Sequence, residues 1–389
     1  MLSSIICPRR ASAIGCIPKS LYILLAIVLF GYSNASAAGT VHTIVDNGPA
    51  SNRVDVVLLG DGYRDVDMAK FAADALNLSN LLFSQPPFST YKKHFNVRRI
   101  DTPSATSNVS HNGASGNTYY GAFYNCFSIQ RLICVDETKV IEELNVSLQP
   151  NERDIVIVIV NDGEYGGSGG GGQSAVTSTH ADAPEIAFHE IGHSFGYLDD
   201  EYVDAPNCRR FTHPFGFNVT KASTRSTAPW SKWIAATTPI PTPIDNSAIG
   251  LFKGAFFCAN GWFRPTADSK MRSLGQPFRE VNSEQIIRRI YNYASVVEWV
   301  RPQPSSFIIP PGSSRTFSAR TIVPHSSDMT TTWRLGGVIL STGRSVTISG
   351  NQLGGATKKL QLIARDITKS VRNDPEHALL DTFSWTLQP

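Results

Sequence analysis

The run His189-Glu190-Ile191-Gly192-His193-Ser194-Phe195-Gly196-Tyr197-Leu198-Asp199-Asp200-Glu201-Tyr202 concentrates more chemistry than any other stretch of this chain. On a helix, residues four apart project from one face a turn apart, so His189 and His193 can turn both imidazoles toward one zinc ion. Glu190 lies beside them as a carboxylate that need not bind the metal and can take a proton from water. Hydrolysis of a peptide bond needs both parts, a Lewis acid that lowers the pKa of water and a base that receives its proton. Upstream, Asp182-Ala183-Pro184-Glu185 offers a capping Asp, a first-turn Pro and a Glu three residues on, which predicts a helix start at Asp182.

A third ligand is expected just downstream. Gly196 follows His193 by three residues, where a metzincin helix ends and the chain turns sharply. Spacing as in H-E-x-x-H-x-x-G-x-x-H puts Asp199 in the third place, with Asp200 one residue later. Met271 is the candidate for the methionine turn beneath such a site. Ser273 stands where some metzincins carry a tyrosine after that methionine, leaving Tyr202 and Arg264 as candidates for transition-state or substrate contacts. Two alternatives compete. A thermolysin-like arrangement would draw its third ligand from Glu280 or Glu284. A secreted binding or adhesion protein with a structural metal site would have no use for the unliganded Glu190.

The segment His189 to Tyr202 resembles the signature of the immunoglobulin A peptidase family of metzincin-like zinc peptidases, which is similar to H-E-x-G-H-x-x-x-x-L-x-D-E-Y. Further pieces match in order: Leu59-Gly60-Asp61-Gly62-Tyr63, then Asn161 and Tyr165-Gly166-Gly167, then Gly261-Trp262-Phe263-Arg264-Pro265. The resemblance runs from about 54 to 300, with a looser match at Ala364-Arg365-Asp366-Ile367-Thr368. It implies a zinc-dependent endopeptidase with a protein or peptide substrate and one catalytic ion. It also favours the Asp of D-E-Y, Asp200, as third ligand, with Asp199 in a supporting or capping role.

The rest of the chain suits an exported enzyme. Arg9, Arg10 and Lys19 precede the apolar stretch from Leu21 to Phe30 and Ala35-Ser36-Ala37, the pattern of a signal peptide occupying 1–37. That stretch is short of the roughly 20 apolar residues that span a bilayer, so stable membrane insertion after cleavage is not expected. Residues 1–37 carry three basic and no acidic groups, so the formal charge of +3 falls to 3 − 3 = 0 in the mature chain. With no basic excess or Lys/Arg run, nucleic acid is not an expected partner. Cys7 and Cys16 leave with the signal. Of the three pairings open to the remaining four, Cys126 with Cys134 closes a local loop and Cys208 with Cys258 ties the segments after the helix, in keeping with an oxidising compartment. Sequons at Asn77, Asn108, Asn145 and Asn218 would matter in a eukaryotic secretory host.

Val54–Leu59 and Asp154–Val160 read as buried strands, a helix is expected from about Asp67 to Phe83, and Phe95–Ile100 reads as another strand. Thr102 to Asn117 is a polar loop. The glycine-rich run from Gly163 to Gly172 lacks the G-K-[S/T] of a phosphate loop. It reads as a flexible connection or as a strand edge along which a peptide could lie. Ser283–Val300 has helical spacing and stops at Arg301-Pro302. After it come short alternating stretches such as Ser345–Ile348 and Lys359–Ala364. The expected architecture is an α/β, metzincin-like zinc peptidase domain over 38–302, a twisted mixed sheet with an active-site helix. A small all-β, immunoglobulin-like sandwich follows over 303–389.

Overall fold

A computed structural model describes residues 38–107, 109–169, 174–208, 214, 216–325 and 329–389. The signal segment, the Asn108 sequon and Gly170–Gly172 of the glycine run lie outside the described residues. In chain order the first part contains β1 (Thr40–Val45), β2 (Val54–Asp61), α1 (Met68–Leu82), α2 (Phe88–Tyr91), β3 (Phe95–Asp101), α3 (Glu137–Ser147), β4 (Ile155–Val160), β5 (Gly167–Ser168), β6 (Ala175–Ser178) and α4 (Pro184–Ser194). Its six strands form one mixed sheet in the order β1-β3-β2-β4-β6-β5. The four inner strands are parallel and both edge strands run antiparallel to their neighbours.

The apolar runs of β2 and β4 follow from burial on both faces. Val54, Val56 and Leu58, with Ile155, Ile157 and Ile159, face a cluster that holds Phe71, Ala75 and Leu78 of α1 and Ala187, Phe188 and Ile191 of α4. Val57, Leu59, Val158 and Val160 face the opposite way, onto Val140 and Leu144 of α3. Asp136 caps α3, accepting from the main-chain N–H of Thr138 at 3.0 Å. At the C-terminal end of β2 the buried Asp61 accepts from Tyr120 N at 2.7 Å, Ala122 N at 2.8 Å and Thr118 Oγ1 at 2.6 Å, which anchors the far end of the long polar loop. The glycine run supplies β5. Gly167 N–H donates to Arg131 O at 3.1 Å, so the loop closed by Cys126–Cys134 covers this edge at Gly167.

The second part contains the hairpin β7 (Phe252–Ala255) and β8 (Cys258–Arg264), α5 (Arg279–Tyr293), β9 (Val297–Arg301), β10 (Ser306–Ile308), β11 (Ser314–Thr321), β12 (Met329–Leu335), β13 (Val338–Ser341), β14 (Ser345–Ser349), β15 (Lys358–Asp366) and β16 (Leu380–Gln388). Two sheets, β10-β16-β15-β12-β13 and β14-β11-β9, pack through Phe317 and Trp385, whose ring centroids lie 5.5 Å apart. The helical reading of Ser283–Val300 is corrected in its second half. Helix α5 ends at Tyr293, and Val297–Arg301 pairs with β11 as strand β9. An apolar run of β-branched and aromatic residues, V-V-E-W-V, fits either period, and pairing with a neighbouring strand decides it.

Helix α5 joins the two halves. Glu284 accepts from Trp233 Nε1 and from the main-chain N–H of Arg372 and Asn373, each at 2.5 Å. Tyr291 and Tyr91 both donate to Asp366 Oδ2 at 2.8 Å. His94 lies between these two tyrosine rings, 5.3 Å from each centroid and fully buried. Its Nδ1 meets Tyr91 O at 3.2 Å, while the buried Nε2 has no hydrogen-bond partner.

Burial, helped by the nearby Arg53 and Lys93 charges, pushes the His94 pKa down to about 3 against the hydrogen bond it donates to Tyr91 O. A histidine held neutral in the fold but free to charge when unfolded contributes full stability above about pH 6.5, lost as pH falls toward its folded value. The loss between pH 7 and pH 5 is expected to be about 2 kcal/mol. Urea unfolding at the two pH values checks it: His94→Phe should lack this component, and an unchanged pH dependence would contradict the assignment.

Candidate metal centre

Helix α4 forms because Pro184 opens it and Ile186, Ala187, Phe188 and Ile191 cover the sheet. It starts at Pro184, not at Asp182, and no side chain caps it. The expected capping box fails because the Glu185 carboxylate is drawn into tertiary contacts, accepting from Gln85 Nε2 at 2.8 Å, Gly275 N at 2.9 Å and the buried Lys270 ammonium. At the other end the expected turn is present, but the left-handed residue is Tyr197, at φ +52°, and not Gly196. Arg289 of α5 holds that turn, its guanidinium 4.0 Å from the Tyr197 ring centroid and its Nε 3.0 Å from Phe195 O.

His189, His193 and Asp200 converge. His189 Nε2 lies 3.0 Å from His193 Nε2, and Asp200 Oδ1 lies 3.1 Å from the first and 3.2 Å from the second. Four ligands around zinc at 2.0–2.1 Å would stand about 3.3 Å apart, so the triangle has the dimensions of one face of such a shell. The three side chains are 12–18% exposed, which leaves the open side of the triangle reachable from solvent. Each imidazole donates its other N–H to a carbonyl, His189 Nδ1 to Lys270 O at 2.9 Å and His193 Nδ1 to Leu198 O at 2.6 Å. A carbonyl can only accept, so in the neutral rings both Nε2 atoms present lone pairs. Two lone pairs and a carboxylate aimed at one point repel unless a cation or proton lies between them, so this donor set fits zinc. Burial opposes charge on His193, but Asp200 outweighs it and lifts the pKa to about 9. Burial likewise works against the Asp200 carboxylate, and the two histidines overcome it and hold it well below the usual range.

The other candidates separate by position. Asp199 turns away, accepting from Gly216 N at 2.5 Å while its own N–H donates to Asn218 Oδ1 at 2.9 Å. Glu280 is exposed and Glu284 is committed to the C-terminal sheets, so neither joins the cluster. Met271 is fully buried under α4, where a Cβ on Gly192 would sit 2.5 Å from its Sδ. A side chain at that position would force the methionine sulfur to shift. Glu190 lies along the end of the edge strand, since a Cβ on Gly169 would come within 2.5 Å of its Cβ and 3.0 Å of Oε2. Burial raises the Tyr202 pKa, and the nearby Asp200 and Glu190 charges raise it further, which places this phenol beside the site. Arg264 does not reach it. Its guanidinium is buried and donates to the carbonyls of Lys253, Gly254 and Ala267. Both expected disulfides are present, with Cα–Cα distances of 5.8 Å for Cys126–Cys134 and 4.7 Å for Cys208–Cys258. The Asn218 sequon is fully buried and hydrogen-bonded, whereas Asn77 and Asn145 are exposed.

Sequence reasoning missed the carbonyls of Lys270 and Leu198, which carry no side-chain signal. It also passed over Glu201, which is fully buried and accepts from Ser269 Oγ at 2.7 Å and from Asn218 and Asn282 Nδ2 at 3.0 Å. Its signal was the middle letter of D-E-Y.

No curated protein matches the chain. Nine chains of solved structures do. Among them is a quinonprotein alcohol dehydrogenase-like protein from Bacteroides thetaiotaomicron, at 13% identity and a TM-score of 0.17 over 22% of this chain. The present chain spans 17% of that protein's length, and so slight a likeness carries no argument about fold or function. The family described as IgA Peptidase M64 matches residues 42–249, more than half of the chain and all of the segment from β2 through His189, His193 and Asp200. The chain belongs to this IgA peptidase family of zinc metallopeptidases.

Proposed function

We propose that the protein is a secreted, metzincin-like zinc endopeptidase in which His189, His193 and Asp200 hold the ion and Glu190 is the general base. The observation that carries this reading is the 3.0–3.2 Å triangle of two imidazole nitrogens and one carboxylate oxygen, with Glu190 next to His189 on the same helix. A bound zinc ion would supply Lewis acidity, polarising the scissile carbonyl and lowering the pKa of water. Glu190 takes the proton from the attacking water and returns it to the leaving amine. Tyr202, whose phenol lies close enough to Asp200 and Glu190 for both to raise its pKa, is the donor we assign to the oxyanion. Met271 supports α4 from below.

The peptide substrate would lie along the end of β5, where Gly169 brings the main chain against Glu190. Two disulfides support an extracellular or periplasmic location, and no helix among the described residues is long and apolar enough to cross a membrane. We keep the division at 302/303, with β9 contributed across it, and read the C-terminal pair of sheets as the immunoglobulin-like sandwich.

Two experiments test the assignment. Asp200→Ala should lose stoichiometric zinc after dialysis while Asp199→Ala keeps it, as measured by elemental analysis. Stoichiometric zinc in both variants would sink the ligand set. Glu190→Gln should still bind zinc but cleave an unstructured protein about 10²–10⁴-fold more slowly. Wild-type cleavage by that variant would remove Glu190 from the mechanism.

A further inference from the structure

The segment Asp200-Glu201-Tyr202 is tied on both sides. Glu201 N donates to Met271 O at 2.8 Å, while the carbonyls of Asp200 and Tyr202 accept from Phe256 N at 2.9 Å and Phe257 N at 3.1 Å. Asp200 meets the two imidazoles, whereas the Glu201 side chain is fully buried among other partners. The Glu201 carboxylate therefore enters the protein behind the metal ligands. There Oε1 accepts both amide donors, Asn218 Nδ2 and Asn282 Nδ2, and Oε2 accepts from Ser269 Oγ. These donors come from three separate segments: the loop that also binds the Asp199 main chain, helix α5, and the turn that carries Lys270 and Met271. The Asn282 amide is turned by this node, for its buried Oδ1 has no hydrogen-bond partner among the described residues.

From this geometry we propose that Glu201 is a positioning residue for the metal centre. One buried carboxylate fixes the Asp200 main chain relative to Ser269, and so relative to the Lys270 carbonyl that orients His189 and to Met271 beneath α4. Its task is geometric. All three partners are neutral hydrogen-bond donors. A glutamine can keep the bonds by placing its carbonyl toward the two asparagines and its amide toward Ser269, whose hydroxyl turns to accept.

The inference rests on the ligand set proposed above, and its test reads the metal, not the cleavage. Zinc affinity by chelator competition and the visible spectrum of the cobalt(II)-substituted protein are measured for wild type, Glu201→Ala and Glu201→Gln, with thermal unfolding as the check on folding. Glu201→Ala should weaken zinc binding about 10–100-fold and shift the cobalt bands. Glu201→Gln should restore both, within about threefold of the wild-type affinity, on the basis that its bonds can be kept. A folded Glu201→Ala protein with wild-type affinity and spectrum would overturn the proposal. If that variant does not fold, Ser269→Ala and Asn282→Ala, each removing one bond, decide it: weakened zinc binding supports the role and unchanged binding overturns it. Absence of zinc binding by the wild-type protein would instead defeat the ligand set itself.

Discussion

Three electron-pair acceptors held within 3.2 Å of one another are an arrangement that a folded chain does not maintain without support. Their mutual repulsion has to be resisted by bonds on the far side of each group and relieved by a positive charge at the centre. Both kinds of support are visible. The Leu198 and Lys270 carbonyls fix the two rings, and the main-chain bonds to Met271 and Phe256 fix Asp200. The pull of Asp200 on His193, whose pKa it lifts to about 9, is the matching preference for positive charge at the centre.

The larger fold distributes that support. Helix α4 lies on the parallel sheet through Ala187, Phe188 and Ile191, and its last turn is gripped from outside by Arg289 of α5. The same helix α5 reaches the ligand segment through Asn282 and the C-terminal sheets through Glu284 and Tyr291. One apolar cluster runs from Val54 through α4 and α5 to Trp333 and Trp385, so the C-terminal sheets are packed against the elements that carry the site. This gives them a physical part in holding the site although they contribute no ligand.

What could be read in advance divides along physical lines. The inner strands were legible because burial on both faces leaves an unbroken apolar run, as in Val54–Leu59 and Ile155–Val160. The two histidines and Glu190 were legible because helical periodicity alone puts them on one turn. The choice between Asp199 and Asp200 was not, since spacing alone points to Asp199. It depends on Gly216 and Asn218 binding Asp199, contacts 17 and 19 residues away. Tertiary partners likewise took Glu185 from its capping box and turned the end of the expected 283–300 helix into β9. Arg264 looked available because nothing in its neighbourhood shows that three main-chain carbonyls consume its donors. The family resemblance at His189–Tyr202 lies inside the matched span of 42–249, whereas the similar pieces at 261–265 and 364–368 lie beyond it, and the resemblance favours Asp200 where spacing does not.

The central claim is that two imidazoles and one carboxylate make a single zinc shell. X-ray absorption at the zinc edge of the purified, zinc-loaded protein tests it most directly. The account predicts four light-atom neighbours at about 2.0–2.1 Å, with the multiple-scattering signature of two imidazoles and no sulfur. A sulfur neighbour near 2.3 Å, or an all-oxygen shell without imidazole scattering, would contradict it.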